Sequence, residues 1–282
     1  MELWYIQDYI NEYKMGLKVK ETIFQGKTRF QEITILDTYL YGRVLLLDGI
    51  AQLSEKDEFM YHEMLVHVPM FSHPNPEKVL IIGGGDGGTS REVLKHPVKE
   101  VTLVDIDEGV IEVCQRYFSQ LGRWDDPRLT VLIEDACQYI SSTSEVFDVI
   151  IMDSTDPLPH GVAEPLFSPE FFEQAFHHLS PQGIMVSQME PPFFDVDRVK
   201  KLWEGFNVFP IVKLYWGLVP TYPGGIWSYV IASKSQDPRR QERVPDFPTR
   251  YYSPAIHQAA FALPSFLEEM LENQKRDEEN FS

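Results

Sequence analysis

A buried apolar run that ends in glycines constrains this chain more than any other feature: Val79-Leu80-Ile81-Ile82 leads directly into Gly83-Gly84-Gly85-Asp86-Gly87-Gly88. Gly83, Gly85 and Gly88 fit the G-x-G-x-x-G pattern, in which a parallel strand turns tightly into a helix and opens its backbone to a ligand. Asp105 follows about twenty residues later, where an acid meets the ribose in nucleotide-binding folds. The residue inside the turn narrows the ligand further. A pyrophosphate seated here, as in a dinucleotide enzyme, would meet the Asp86 carboxylate with like charge. Asp86 therefore favours a nucleoside that carries positive charge and no phosphate, such as S-adenosylmethionine or its decarboxylated form. An NAD-dependent oxidoreductase is disfavoured on the same ground.

From Lys78 onward, expected strands and helices alternate. The strands fall at 79–82, 101–104, 130–133, 147–152, 183–188, 211–215 and 227–232, with helices at 88–96 and 108–121. This predicts an α/β fold: a Rossmann-like, parallel-rich sheet of the S-adenosylmethionine-methyltransferase type, with helices on both faces and ligands at the carboxyl ends of the strands. Residues 17–53 instead alternate between apolar and polar and are broken by Gly26, Gly42 and Gly49. They read as a small antiparallel β domain, with strands at 18–23, 31–36 and 44–47. The expected division is an N-terminal β domain at 1–56 and a catalytic domain at 57–282. The latter opens with a linking helix at 57–72, capped by Asp57 and followed by Pro74 and Pro76, and ends in a frayed acidic tail at 272–282. So short a run of strands closes little core alone, so it should pack on the main domain, on a partner subunit or on both, making a homodimer or homotetramer. Trp4, Tyr5, Tyr9 and Tyr13 are read as sealing such a subunit contact or the domain junction.

Composition excludes several classes. With 43 acids against 25 bases the net charge is -18, and no basic patch offsets it, so nucleic acid is not an expected partner. No apolar run approaches the length of a membrane span, and the start, Met1-Glu2-Leu3-Trp4, lacks the basic character of a signal peptide. A cytoplasmic protein is expected. Cys114 and Cys137 show no metal-ligand spacing and are read as reduced core residues; His177-His178 lacks a third ligand. No metal and no tightly bound cofactor are expected.

Four aspartates, Asp86, Asp105, Asp135 and Asp153, each follow one of the first four strands of the larger domain. A parallel sheet gathers such residues along one rim. Asp105 is placed for both ribose hydroxyls. Asp135 is placed for the adenine amino group, with the Ala136 amide for a ring nitrogen. Asp86 is placed for the cationic tail beyond the sulfur, and Asp153 opens Asp153-Ser154-Thr155-Asp156-Pro157, where a second substrate would approach. A sulfonium activates every carbon bonded to it, so the carbon aimed at the nucleophile decides which group moves. The decarboxylated form suits this rim because its tail ends in an ammonium, and aminopropyl transfer follows.

Further motifs agree. Leu47-Asp48-Gly49-Ile50-Ala51-Gln52, Glu55-Lys56-Asp57-Glu58-Phe59-Met60-Tyr61-His62-Glu63-Met64, Tyr222-Pro223-Gly224-Gly225 and Ala259-Ala260-Phe261-Ala262-Leu263-Pro264 join the glycine loop and the segment Asp153 to Pro157. On these the chain resembles the polyamine aminopropyltransferase family along essentially its whole length, and most closely the spermidine synthases. The resemblance implies transfer from decarboxylated S-adenosylmethionine to putrescine, giving spermidine and methylthioadenosine. It implies that Gln31, Gln52, Gly83, Gly85, Asp86, Asp105, Asp135 and Ala136 bind the co-substrate. It also implies that His62, Asp86, Asp153, Asp156 and Tyr222 contact the amine, and that Asp153 acts as base with Tyr61 beside it. Asp105 stands where many members carry glutamate, and 157–165 is longer than the usual lid, whose proline contact has no clear counterpart here. The resemblance further implies a diamine rather than agmatine or a longer amine, since members that use those tend to carry glutamate where Asp86 stands. Transfer to cadaverine or agmatine, a methyltransferase, and a binding module without activity are the alternatives. Trp227 could either wall the amine pocket or fill the core.

Overall fold

A computed structural model describes residues 2–10, 12–157, 161–194 and 196–271. The expected tail at 272–282 and the middle of the expected lid lie outside the described residues. The chain opens with an antiparallel meander of β1 (Leu3–Ile10), β2 (Tyr13–Lys27), β3 (Glu32–Thr38), β4 (Gly42–Leu47) and β5 (Ile50–Ser54), paired in that order. The meander thus begins well before residue 17. Strand β1 escapes a pattern search because Leu3, Trp4 and Ile6 face solvent, at 52, 50 and 52 % exposure, so no inward apolar alternation marks it.

The helix α1 (Glu58–Ser72) follows, and all but one of its residues are buried. A helix buried around its whole circumference lies inside a protein; this one packs against the larger sheet and carries Glu58, His62, Glu63 and His67 into the interior. Asp57 occupies the position before it but does not cap it. Its carboxylate instead accepts hydrogen bonds from the Thr221 amide (2.7 Å), the Thr221 hydroxyl (2.6 Å) and the Ser54 hydroxyl (2.6 Å).

The second sheet is built from β6 (Lys78–Gly83), α2 (Gly88–Val93), β7 (Glu100–Asp105), α3 (Glu108–Tyr117), β8 (Leu129–Ile133), α4 (Ala136–Ser142), β9 (Phe147–Asp153), α5 (Pro169–His177), β10 (Leu179–Gln188), α6 (Val196–Glu204), β11 (Ile211–Leu218) and β12 (Ile226–Ser233), with α7 (Pro254–Ala260) beyond it. Helices α2 and α3 are shorter than their expected spans. The strand order is β11-β12-β10-β9-β6-β7-β8; β12 runs antiparallel to β10 and β11, and the remaining pairs are parallel. Side chains alternate faces along each strand. Val79, Ile81, Val149 and Ile151 pack towards α1, whereas Leu80, Ile82, Ile150 and Met152 pack with residues of α4, α5 and α6. Burial on both faces explains why these strands read as unbroken apolar runs.

From β6 the chain builds outward to β7 and β8 on one side, then returns to place β9 and β10 on the other. The crevice between β6 and β9 is therefore the switch point where open α/β sheets bind ligands. The meander closes over it by packing Ile33, Ile35, Leu45 and Leu47 on Val110, Cys114 and Phe118 around α3.

Candidate active site

The glycine turn brings the ends of β6 and β9 together. Gly83 has φ +77°, and a Cβ there would lie 2.3 Å from the carbonyl oxygen of Asp153, so only glycine permits the approach. The Gly84 amide donates to that same oxygen at 2.9 Å. One residue on, the Gly85 amide donates to Asp105 Oδ2 at 3.0 Å and ties the turn to the end of β7.

A cavity of about 380 Å³ opens along this rim. Towards β7 and β8, Asp105, Asp135, Ala136 and Gln31 line it, together with Gly83 and Gly85 of the turn. Asp105 also accepts from the Asp107 amide at 2.9 Å. Asp107 in turn accepts from Gln31 Nε2 at 2.9 Å and from the Thr28 hydroxyl at 2.7 Å, which ties the meander to the rim. Asp135 caps α4 by accepting from the Cys137 amide at 2.8 Å. Burial is the main force on Asp105 and, helped by the charge of Asp107, lifts its carboxyl to about 6.

At the other end stand Tyr61, Asp153, Asp156, Gln52 and Tyr222, with Asp86 between the two groups. Asp153 accepts from the Tyr61 hydroxyl at 2.7 Å and from the Thr89 hydroxyl at 2.6 Å, one on each oxygen. Burial and then the like charge of Asp86 raise its pKa; burial likewise raises Asp156. Tyr61 is held well above the ordinary phenol value by burial and by Asp153, so it is a neutral donor. Gln188 Nε2 donates to Asp156 Oδ1 at 3.3 Å and to the Ser154 carbonyl at 3.1 Å. The indole N–H of Trp227 donates to Gln188 Oε1 at 3.1 Å. Trp227 thus fills the core, at 5 % exposure, and walls the cavity at once. The Tyr222 hydroxyl donates to the Gln52 carbonyl, and its ring meets Trp227 edge-on at 4.6 Å.

His62 departs from expectation. Its ring is 1 % exposed and is not part of the cavity wall. It lies behind Asp86, with Nδ1 2.7 Å from Glu58 Oε2 and Nε2 3.4 Å from Asp86 Oδ1. Its unpartnered Nε2 lies within 4.8 Å of carboxylate oxygens of Asp86 and Asp153, which do line the cavity. The remaining expected site residues all border the one cavity. Sequence reasoning missed Thr89, Gln188 and the cavity wall supplied by Gln7, Tyr9 and Ile10 of β1. Gln188 ends a strand of the same sheet, so the strand-end rule that found the aspartates would have found it. Tyr9 and Tyr13 do reach the domain junction: Tyr9 donates to Glu190 at 3.3 Å, and the ring of Tyr13 packs 4.6 Å from that of Phe194.

Among the described residues, two clusters hold side chains at metal-ligand separations: His62, Asp86 and Asp153, and Glu63, His67 and Glu92. In the first, hydroxyls occupy both Asp153 oxygens. In the second, Arg91 and Lys95 face Glu92 at 2.8 and 2.6 Å, while Glu63 accepts the amides of Arg250, Tyr251 and Tyr252. In the second cluster these partners compensate the charge that a cation would need. No helix among the described residues is long and apolar enough to cross a membrane.

Fold and rim together define a methyltransferase-type α/β protein with an acid-lined cleft at its switch point. Comparison with known proteins is more specific. Residues 58–242 match the spermine/spermidine synthase domain, and residues 3–55 match the spermidine synthase tetramerisation domain. A polyamine aminopropyltransferase of Thermoanaerobacter sp. (strain X514) is 46% identical over 277 residues, spanning 96% of this chain and 99% of its own. That of Clostridium tetani is 44% identical over 278 residues, spanning 96% and 98%. Among solved structures, a spermidine synthase in complex with the transition-state analogue AdoDATO superposes with a TM-score of 0.90 at 42% identity, over 96% of this chain and 95% of its own. Spermidine synthase from Thermotoga maritima gives 0.88 at 42%, over 96% and 94%. The chain belongs to the spermine/spermidine synthase family, the polyamine aminopropyltransferases.

Proposed function

We propose that this enzyme transfers the aminopropyl group of decarboxylated S-adenosylmethionine to putrescine, releasing spermidine and methylthioadenosine. The observation that carries this reading is the distribution of carboxylates around one cavity, with Asp105 and Asp135 at one end, Asp153 and Asp156 at the other and Asp86 between. Ribose hydroxyls and an adenine amino group suit the first pair, with Gln31 and the Ala136 amide beside them. Asp86 suits the ammonium of the aminopropyl tail, where ordinary S-adenosylmethionine would bring its own carboxylate into like-charge contact. Gln52, Tyr61, Asp156 and Tyr222 then frame the acceptor amine. The AdoDATO complex of a relative with the same fold supports the assignment. Decarboxylated S-adenosylmethionine is a co-substrate consumed in each turnover, and the chemistry calls for no metal.

The amine must lose a proton to attack. Direct transfer from an alkylammonium (pKa ~10.4) to an ordinary aspartate (~3.9) is uphill by about 9 kcal/mol. The site narrows that gap from both sides. Burial and Asp86 raise Asp153, and a sulfonium nearby lowers the amine. Asp153 takes the proton as the nitrogen attacks the methylene carbon bonded to sulfur. The C–S bond breaks, and its electron pair leaves on the sulfur as a neutral thioether. Tyr61, bonded to Asp153, fixes the carboxylate's direction.

The test is a panel of putrescine, cadaverine, agmatine and spermidine assayed for methylthioadenosine release with decarboxylated S-adenosylmethionine. Putrescine should give the highest kcat/KM, by about tenfold or more over the others. A different preferred amine would reassign the acceptor. Release with none of them would reduce the protein to a binding module.

A further inference from the structure

The amine end of the cavity is bounded by an ion pair that the transfer reaction leaves unused. Glu190, two residues past the end of β10 and 0 % exposed, accepts from the Tyr9 hydroxyl at 3.3 Å. Its Oε1 stands 2.9 Å from Nε of Arg198, in the first turn of α6. Arg198 and Tyr9 border the cavity together with Asp156.

A carboxylate with no access to water requires a compensating charge, which Arg198 provides. The guanidinium also acts outward. It opposes the rise that burial imposes on Asp156, and it works against the charges of Glu190 and Asp156 on the Tyr9 phenol, so the four groups share one field. Their placement is fixed by the segment between β10 and α6. The Glu190 carbonyl accepts from the Ser228 hydroxyl at 2.6 Å and from the Ser228 amide at 3.3 Å. Four residues on, the Phe194 ring packs on those of Tyr9 and Tyr13, with centroids 5.6 and 4.6 Å away, and a Cβ on Gly224 would lie 2.9 Å from it. Residues 189–194 are therefore pinned between β1, β12 and the Tyr222 loop.

Asp153 and Asp156 provide one carboxylate for each ammonium of a diamine. Glu190 would be a third, and Arg198 already engages it. A triamine lying along the acceptor site would bring its third ammonium towards the guanidinium, where like charge opposes it. We propose that Arg198 is a specificity-determining residue that closes the acceptor site after two ammonium groups, so that a diamine is accepted and a triamine is turned away. The proposal rests on the aminopropyl-transfer reading of the cavity and adds to it the group that sets the length of the acceptor. Such discrimination comes from repulsion built against the wrong ligand as much as from attraction to the right one.

The whole enzyme is compared with Arg198→Gln, which removes the charge, and with Arg198→Lys, which keeps it. Each is assayed for kcat/KM with putrescine and with spermidine as acceptor. Arg198→Gln should raise the spermidine-to-putrescine ratio roughly tenfold, mostly through a lower KM for spermidine, and Arg198→Lys should stay close to the parent. Should Arg198→Gln fail to fold, the double variant Arg198→Gln/Glu190→Gln removes both charges of the pair and should shift the ratio in the same direction by a smaller factor. A pair that serves only to neutralise Glu190 would lower the melting temperature and leave the ratio alone. An unchanged ratio in the folded variants therefore overturns the proposal, as does a parent that prefers spermidine. A parent that releases no methylthioadenosine overturns instead the transfer reaction. The role of Arg198 is then decided by calorimetry of the two amines with decarboxylated S-adenosylmethionine present: the same shift in relative affinity supports it, and an unchanged ratio overturns it.

Discussion

Single residues in this site are tuned by whether water reaches them and by which charge stands next to them. Asp153→Asn preserves shape and one acceptor for the two hydroxyls while removing the proton acceptor. We expect turnover to fall about a hundredfold or more, with methylthioadenosine affinity in calorimetry kept within a few-fold. Turnover close to the parent's would move the base elsewhere. Asp105 gives a second expectation. Its carboxyl is lifted to about 6 by burial and by Asp107, and the ionised form is the better acceptor for two ribose hydroxyls. Nucleoside affinity should therefore be full above that pH and should weaken as pH falls through it, by roughly tenfold per unit. Titrations at two pH values check this, and Asp105→Asn should abolish the dependence.

At the scale of elements, the start of α1 is held by a side chain that a pattern reader takes for a cap. Asp57, 3 % exposed, spends its carboxylate on Ser54 and on both the amide and hydroxyl of Thr221, next to Tyr222. Asp57→Ala leaves those buried donors without an acceptor and should cost about 2–3 kcal/mol. It should also raise the amine's KM as the Tyr222 loop loosens. Denaturant melts and kinetics measure the two effects separately; an unchanged KM would mean that the loop is held by Trp227 and the Gln52 carbonyl alone. The same helix shows where sequence is legible and where it is not. Strands β6 and β9 declare themselves because burial on both faces gives them the apolar runs Val79 to Ile82 and Val149 to Met152, and the rim aspartates follow from the strand ends. The surroundings of His62 do not follow, because Asp86 and Arg91, which help to define them, come from the glycine turn and from α2. The strand β1 stays hidden for the opposite reason, since its apolar side chains look outward.

The whole molecule carries an outer face that a lone subunit has no use for. Trp4 and Ile6, half exposed on the edge strand β1, lie in a segment that matches a tetramerisation domain. An exposed edge bearing large apolar side chains invites a partner. Trp4→Glu should lower the assembly state in size-exclusion chromatography with light scattering while leaving far-UV circular dichroism unchanged. An unaltered mass would place the subunit contact on another face. Strand β1 also supplies Gln7, Tyr9 and Ile10 to the cavity, so the opening strand of the meander completes a pocket whose other side comes from residues far along the chain. A protease that nicked the leading hairpin would sever no strand of the large sheet and remove no aspartate from the rim. It would nonetheless breach the chamber, and a sulfonium left in bulk solvent would meet water in place of an amine.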